Sequence, residues 1–283
     1  MTEFVIDGKG KKLSVAVRDK IPRIGYDTLR KLLRKGEIRV NGKKVFSDVF
    51  LYPGDTVRVY YKPEETIKVI YDDDNIAVLL KPTRIASVGE GSFDELVRAK
   101  FPNYIISHRL DTNTDGLVIF AKNNAVFDGL KDAFKNHKIE KKYLCVVYGV
   151  VDMPRDLKAY LSKDAESGEV RISDNYVQGY EEILTKIAPI ESSEGITLLD
   201  VNLITGKTHQ IRAHLAHENL PIIGDPKYGR NEINRHYGKR YQMLHAYKLV
   251  FHIDTGILSY LNGKEIEVDT DEYNKEFDRL LLR

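Results

Sequence analysis

The stretch His108-Arg109-Leu110-Asp111-Thr112-Asn113-Thr114-Asp115-Gly116, running straight into Leu117-Val118-Ile119-Phe120-Ala121, constrains this chain more than any other. A polar, turn-forming segment followed by β-branched and aromatic residues predicts a loop feeding a buried strand, and such a strand holds whatever the loop carries against a rigid support. Asp111 sits where loop meets strand, with Asn113 and Gly116 supplying the tight backbone that such loops need. Alone in a turn, an aspartate reads as an Asx-turn capping its own backbone. Its meaning therefore depends on what distant parts of the chain bring to it.

With 283 residues, 42% of them hydrophobic, the chain can build one large domain with a small companion. No apolar run approaches the roughly 18 residues that cross a bilayer, and the first ten residues lack the basic-then-apolar pattern of a signal peptide, which predicts a soluble, cytoplasmic protein. The single cysteine, Cys145, lies in an apolar run, so a disulfide within the chain is excluded. The net charge of +2 conceals an asymmetry. Residues 1–62 hold 15 Lys and Arg against 7 Asp and Glu, and the remainder 29 against 35, giving +8 and −6. That division points to a polyanion-binding module joined to a body with another task, and nucleic acid is the natural partner.

Within the basic segment, residues 26–36 place Leu29, Leu32 and Leu33 on one helical face, with Asp27 or Thr28 to cap the start and Gly36 to stop it. Glu37-Ile38-Arg39-Val40, the turn Asn41-Gly42 and Lys43-Lys44-Val45 predict a hairpin, and Pro53-Gly54-Asp55 a second turn before the strand 56–60. A basic helix followed by this small hairpin resembles the S4-type RNA-binding domain. The resemblance implies that Arg30, Lys31, Arg34, Lys35, Lys43 and Lys44 meet phosphates, adding affinity without reading sequence. Residues 62–66 read as a polar linker, so the expected domains are 1–62 and 63–283.

Beyond the linker, 68–71 and 76–80 predict a hairpin about Asp72-Asp73-Asp74-Asn75. Helices are expected over 93–101 and over 125–136, the latter with Phe127, Leu130 and Phe134 inward, and a strand over 141–149. Residues 152–194 alternate like strands and show no chemistry of their own. Residues 198–216 then run from a strand through Thr205-Gly206 into a helix with Ile211 and Leu215 four apart. His209, His214 and His217 invite a metal reading, but His209 and His214 lie on different helical faces and no acidic partner completes a zincin spacing, so no metal is expected.

Taken in order, these blocks resemble the RluA-type pseudouridine synthases. His108-Arg109-Leu110-Asp111, Thr114 and Gly116 match the family loop, Lys141-x-Tyr143-Leu144 its strand, and Thr205-Gly206-Lys207-Thr208-His209-Gln210-Ile211-Arg212-Ala213-His214 its third motif. Pro221-Ile222-x-Gly224-Asp225-x-x-Tyr228-Gly229 and Leu244-His245-Ala246 also match, so the resemblance runs over about 65–270. Asp115 stands in place of a serine, Lys207 of an arginine and Leu80 of an asparagine. The resemblance implies an α+β fold, with a mixed, mostly antiparallel catalytic sheet preceded by a small α/β RNA-binding domain, and a monomer. It makes Asp111 the nucleophile, Arg212 its ionic partner and Tyr143 the aromatic beside the flipped base. Ile211 or Leu215 would complete an apolar wall, and His108 or Arg109 would brace the space the base leaves in its stack.

Isomerising uridine to pseudouridine breaks the bond from ribose to N1 and rejoins the base through C5, consuming nothing, so the resemblance implies no cofactor. An arginine within about 4–6 Å would typically lower the pKa of an aspartate by 1–3 units and keep the nucleophile ionised. The resemblance favours large-subunit ribosomal RNA as substrate over transfer RNA. A non-catalytic RNA-binding or ribosome-assembly protein would leave the Asp111, Tyr143 and Arg212 blocks without purpose. A nucleic-acid hydrolase would want paired carboxylates holding metal ions.

Overall fold

The structure, a computed structural model, describes residues 1–21, 24, 26–61, 67–164, 168 and 170–282. The chain forms two compact units, Met1–Thr66 and Ile67–Arg283. The expected linker, 62–66, lies outside the described residues.

The first unit contains β1 (Thr2–Val5), β2 (Lys11–Lys12), α1 (Leu13–Lys20), α2 (Tyr26–Lys35), β3 (Ile38–Val40), β4 (Lys43–Lys44), β5 (Phe50–Leu51) and β6 (Thr56–Val59). A four-stranded sheet in the order β1-β6-β3-β4 shares one core with the helices, built from Leu13, Val17, Leu29, Leu33, Ile38, Val57 and Val59. Helix α1 and strand β1 are not among the elements that the sequence pattern predicts. Helix α2 begins at Tyr26, one residue before the expected caps. The hairpin turn has both Asn41 (φ 50°) and Gly42 (φ 79°) in the left-handed region, as a primed two-residue turn requires. The Asn41 amide also donates to Asp55 and accepts from Thr56 N–H, which ties this turn to the neighbouring Pro53-Gly54 turn.

The second unit runs through β7 (Lys68–Asp72), β8 (Ile76–Lys81), α3 (Phe93–Lys100), β9 (Ile105–Ile106), β10 (Asp115–Ala121), α4 (Asn124–Lys135), β11 (Ile139–Tyr148), β12 (Arg155–Lys163), β13 (Val170–Ser173), β14 (Glu181–Ser193) and β15 (Ile196–Leu203). It ends with α5 (Gln210–His217), α6 (Asn231–His236), β16 (Leu244–Phe251), β17 (Glu265–Glu267) and α7 (Asp271–Leu281). One sheet takes the order β13-β12-β14-β15-β11-β16-β10-β8-β7, with β9 on β10 and β17 on β16. The neighbours pair antiparallel except β10 and β16, whose short parallel register sets Asp115 against His245 and Gly116 against Ala246.

The continuous apolar runs of β8 and β10 follow from burial on both faces. Ala77, Leu79, Val118 and Phe120 join one core with Phe93 and Val97 of α3 and Ile211 and Leu215 of α5. Ile76, Val78, Leu117 and Ile119 join another with Val126 and Leu130 of α4. Asn123 caps α4 by accepting from Val126 N–H. The buried face of α4 is Val126, Leu130 and Ala133; Phe127 and Phe134, expected inward, are only half-buried because they sit at the edge of that face. No helix among the described residues is long and apolar enough to cross a membrane.

Candidate active site

The loop ahead of β10 is pinned from several sides. Ser87 donates its hydroxyl hydrogen to Leu110 C=O (2.7 Å) and accepts from Leu110 N–H (2.9 Å), so one side chain fixes the residue next to Asp111. Lys81, fully buried at the end of β8, donates to the carbonyls of Thr114 (2.7 Å), Thr112 (3.3 Å) and Pro82 (2.9 Å). Burial pulls its ammonium down to about 8, against the upward pull of Asp115 and Asp111. His108 Nε2 accepts from Ile119 N–H, and its ring packs 5.0 Å from that of Phe134. Where the loop becomes strand, Gly116 has φ 125°, and a Cβ there would lie 2.3 Å from Ala246 C=O. No other residue fits that approach to β16.

Across from the loop, Arg212 projects from the first turn of α5 with only 6% of its surface exposed. Nη1 donates to Asp111 Oδ2 at 2.7 Å. Nε and Nη2 meet the fully buried Asp225 as a fork, at 2.7 and 2.9 Å. One guanidinium thus bridges two carboxylates through charge-assisted bonds. Burial alone would raise the Asp225 carboxyl; the bonds from Arg212 and from the N–H groups of Tyr228 and Lys227 overcome it and hold the group below its usual range. Gly224 precedes it at φ 84°, where a Cβ would collide with Tyr241 C=O at 2.1 Å. In the sequence Asp225 stands out only as part of a motif. The Gly-Asp-Pro turn was the visible signal, but the partner 13 residues away was not.

A pocket of about 670 Å³ opens onto Asp111 and Arg212, and Arg109, Lys141, Tyr143, Leu203, Lys207, His209, Ile211 and Leu244 are among its lining residues. Three sequence blocks, centred on 111, 143 and 212, therefore meet in one cavity. Tyr143 enters from β11, and burial together with the Asp111 charge raises the pKa of its hydroxyl.

Comparison with known proteins decides the family. Residues 75–217 match the model of the RNA pseudouridylate synthases. The chain belongs to that family. An uncharacterized RNA pseudouridine synthase of Helicobacter pylori is 35% identical over 80% of this chain and 88% of its own length. The ribosomal large subunit pseudouridine synthase C of Escherichia coli K12 is 30% identical over 88% of each. The solved structure of human RNA pseudouridylate synthase domain containing 4 shares the fold, with a TM-score of 0.59 at 18% identity over 76% of this chain and 93% of its own.

In this pseudouridine synthase the remaining expected residues separate. Ile211 lines the pocket, whereas Leu215, one turn further along α5, is fully buried in the core and takes no part in the wall. Arg109 is exposed, and both it and His108 line the pocket, with His108 Nε2 also accepting from Ile119 N–H of β10. Asp115 lies outside the pocket lining, its carboxylate 3.2 Å from His245 Nδ1 on β16. Lys207 is ion-paired with Glu181. His209 caps α5 from a left-handed conformation (φ 55°), with Nδ1 2.9 Å from the Tyr228 hydroxyl, whereas His214 is buried against Thr185. Arg30, Lys31, Arg34, Lys35, Lys43 and Lys44 of the first unit are exposed.

Proposed function

We propose that this synthase modifies uridines of large-subunit ribosomal RNA, with Asp111 as nucleophile, Arg212 as its ionic partner, and the first unit serving as an S4-type module that holds RNA. The observation that carries the reading is the 2.7 Å bond from Arg212 to Asp111, both lining the pocket that Tyr143 also lines. The E. coli relative, named as a large-subunit enzyme, supports the substrate. The charge of +8 on residues 1–62 supports the holding role.

The chemistry follows from the geometry. A carboxylate held by a guanidinium supplies the electron pair that releases uracil from ribose, whether it adds to C6 of the base or acts at the sugar; both begin from the ionised form. After the base turns and bonds through C5, the C5 proton must leave and N1 must gain one. Tyr143, held as a neutral phenol by burial and by Asp111, relays that proton instead of acting as a phenolate. The pocket holds the uridine out of its stack, with Ile211, Leu203 and Leu244 as apolar wall and Arg109 also lining it. The enzyme works as a monomer in the cytoplasm, where ribosomal RNA is found. Tritium release from RNA labelled at uridine C5, with ribosomal and transfer RNAs as separate substrates, tests the reading. Release from large-subunit RNA is expected, and release from transfer RNA alone would replace the substrate.

A further inference from the structure

The cations that line the pocket differ in their partners. Arg212 is committed to two carboxylates, Lys207 is paired with Glu181, and Arg109 is exposed. Lys141 is none of these. It enters from β11 two residues before Tyr143, and both side chains face the cavity. Its Nζ lies 5.6 Å from the centre of the Phe134 ring, and so close to Gly206 that a Cβ there would be 3.1 Å from it. Among the described residues no carboxylate lies within ion-pairing distance of it. Burial pulls its ammonium down to about 8, and its charge in turn helps to keep His108 neutral.

A partly desolvated cation facing a cavity with no acidic partner is costly unless a ligand supplies the missing charge. Uracil and ribose are neutral, so the anionic part of a nucleotide in this pocket is its phosphate. We infer that Lys141 is a phosphate-binding residue of the pocket, taking the phosphate of the flipped uridine while Asp111 faces the base and sugar. This rests on the reading of the pocket as a uridine site.

Titrating uridine, uridine 5′-monophosphate and uridine 3′-monophosphate into the full-length protein at low salt, by chemical-shift or calorimetric readout, tests it. Wild type is expected to bind one of the monophosphates about tenfold more tightly than uridine, the scale of one charge-assisted bond. Lys141→Met should remove most of that advantage and leave uridine affinity unchanged, which also reports an intact pocket. Lys141→Arg should restore part of it. If uridine binds and neither phosphate adds affinity, or if Lys141→Met weakens uridine as much as the monophosphates, the phosphate role is wrong and the uridine site stands. If neither uridine nor the monophosphates bind, both fall together.

Discussion

The same residue type is used in opposite ways by the two units. On α2, Arg30, Lys31, Arg34 and Lys35 are exposed and spaced along one helix, so each offers a screened charge to whatever polyanion approaches. In the pocket, Arg212 is buried, and three of its nitrogens are committed to Asp111 and Asp225 at 2.7–2.9 Å. Exposed charges of the first kind contribute individually little and are interchangeable. Buried charges of the second kind depend on every partner, because removing one leaves another uncompensated. Substitutions should therefore act steeply in the pocket and gradually on α2.

The steepest case is Asp111→Asn. It keeps the shape of the side chain and the bond from Arg212, but not the electron pair of an ionised carboxylate. If Asp111 is the nucleophile, pseudouridine formation should fall by roughly 10³-fold or more, while RNA binding holds. Turnover measured by tritium release above a hundredth of wild type would remove Asp111 as nucleophile.

Next comes Asp225→Asn, which leaves Arg212 with a single carboxylate. Breaking such a buried pair costs about 3–5 kcal/mol of stability, and the guanidinium is then free to swing from its fork. The kcat should drop about 100-fold with a smaller change in KM, because positioning and not contact with RNA has been lost. An Asp225→Asn enzyme with wild-type kcat and denaturation midpoint would mean that Asp111 alone fixes Arg212.

How much of this was legible in the sequence follows from how far apart the causes lie. Helices α3 and α4 and the hairpin β7–β8 begin within a residue or so of where local periodicity and caps place them, because Ser92, Asn123 and the Asp73 turn act over three or four residues. Helix α1 leaves a weaker trace, because flanking lysines mask the spacing that Leu13, Ala16 and Val17 carry. Meeting of the 111, 143 and 212 blocks was legible only through family resemblance, since residues 101 positions apart leave no local trace of contact. The clamp of Asp225 on Arg212, the parallel β10–β16 register and the anchoring of His108 and Lys81 are tertiary facts, which a one-dimensional pattern does not encode.

A smaller effect is expected from acid. His108 accepts from Ile119 N–H, and an imidazolium cannot accept, while His214 is buried against Thr185. Burial lowers both, to about 3 and about 4, against about 6.5 in the unfolded chain. The unfolded state thus gains protons first as pH falls, so this stability is fully present above about pH 6.5 and is lost on the way down toward pH 4. By pH 5 the loss should be roughly 1–2 kcal/mol per histidine, read as a falling urea midpoint between pH 7.5 and 5. A His214→Gln variant should show a shallower fall; an identical slope would mean that other groups carry it.

The gentlest expected effect belongs to α2, and it tests whether the contrast between the units holds. Replacing Arg30, Lys31, Arg34 and Lys35 together by Gln removes four exposed charges while leaving Leu29, Leu32 and Leu33 in the core. If each charge meets a phosphate, each releases counterions on binding, so the slope of log affinity against log salt should become shallower by roughly 0.7–0.9 per contact, about 3 for all four. Single substitutions should each remove about a quarter of that, since contacts of this kind do not depend on one another. Turnover at saturating RNA should be unchanged, because among the described residues those lining the pocket all belong to the second unit. An unaltered slope would deny α2 a role in holding RNA. A single substitution that abolished binding would show a buried, partner-dependent contact of the Arg212 kind, and the contrast between the two units would fail at its weaker end.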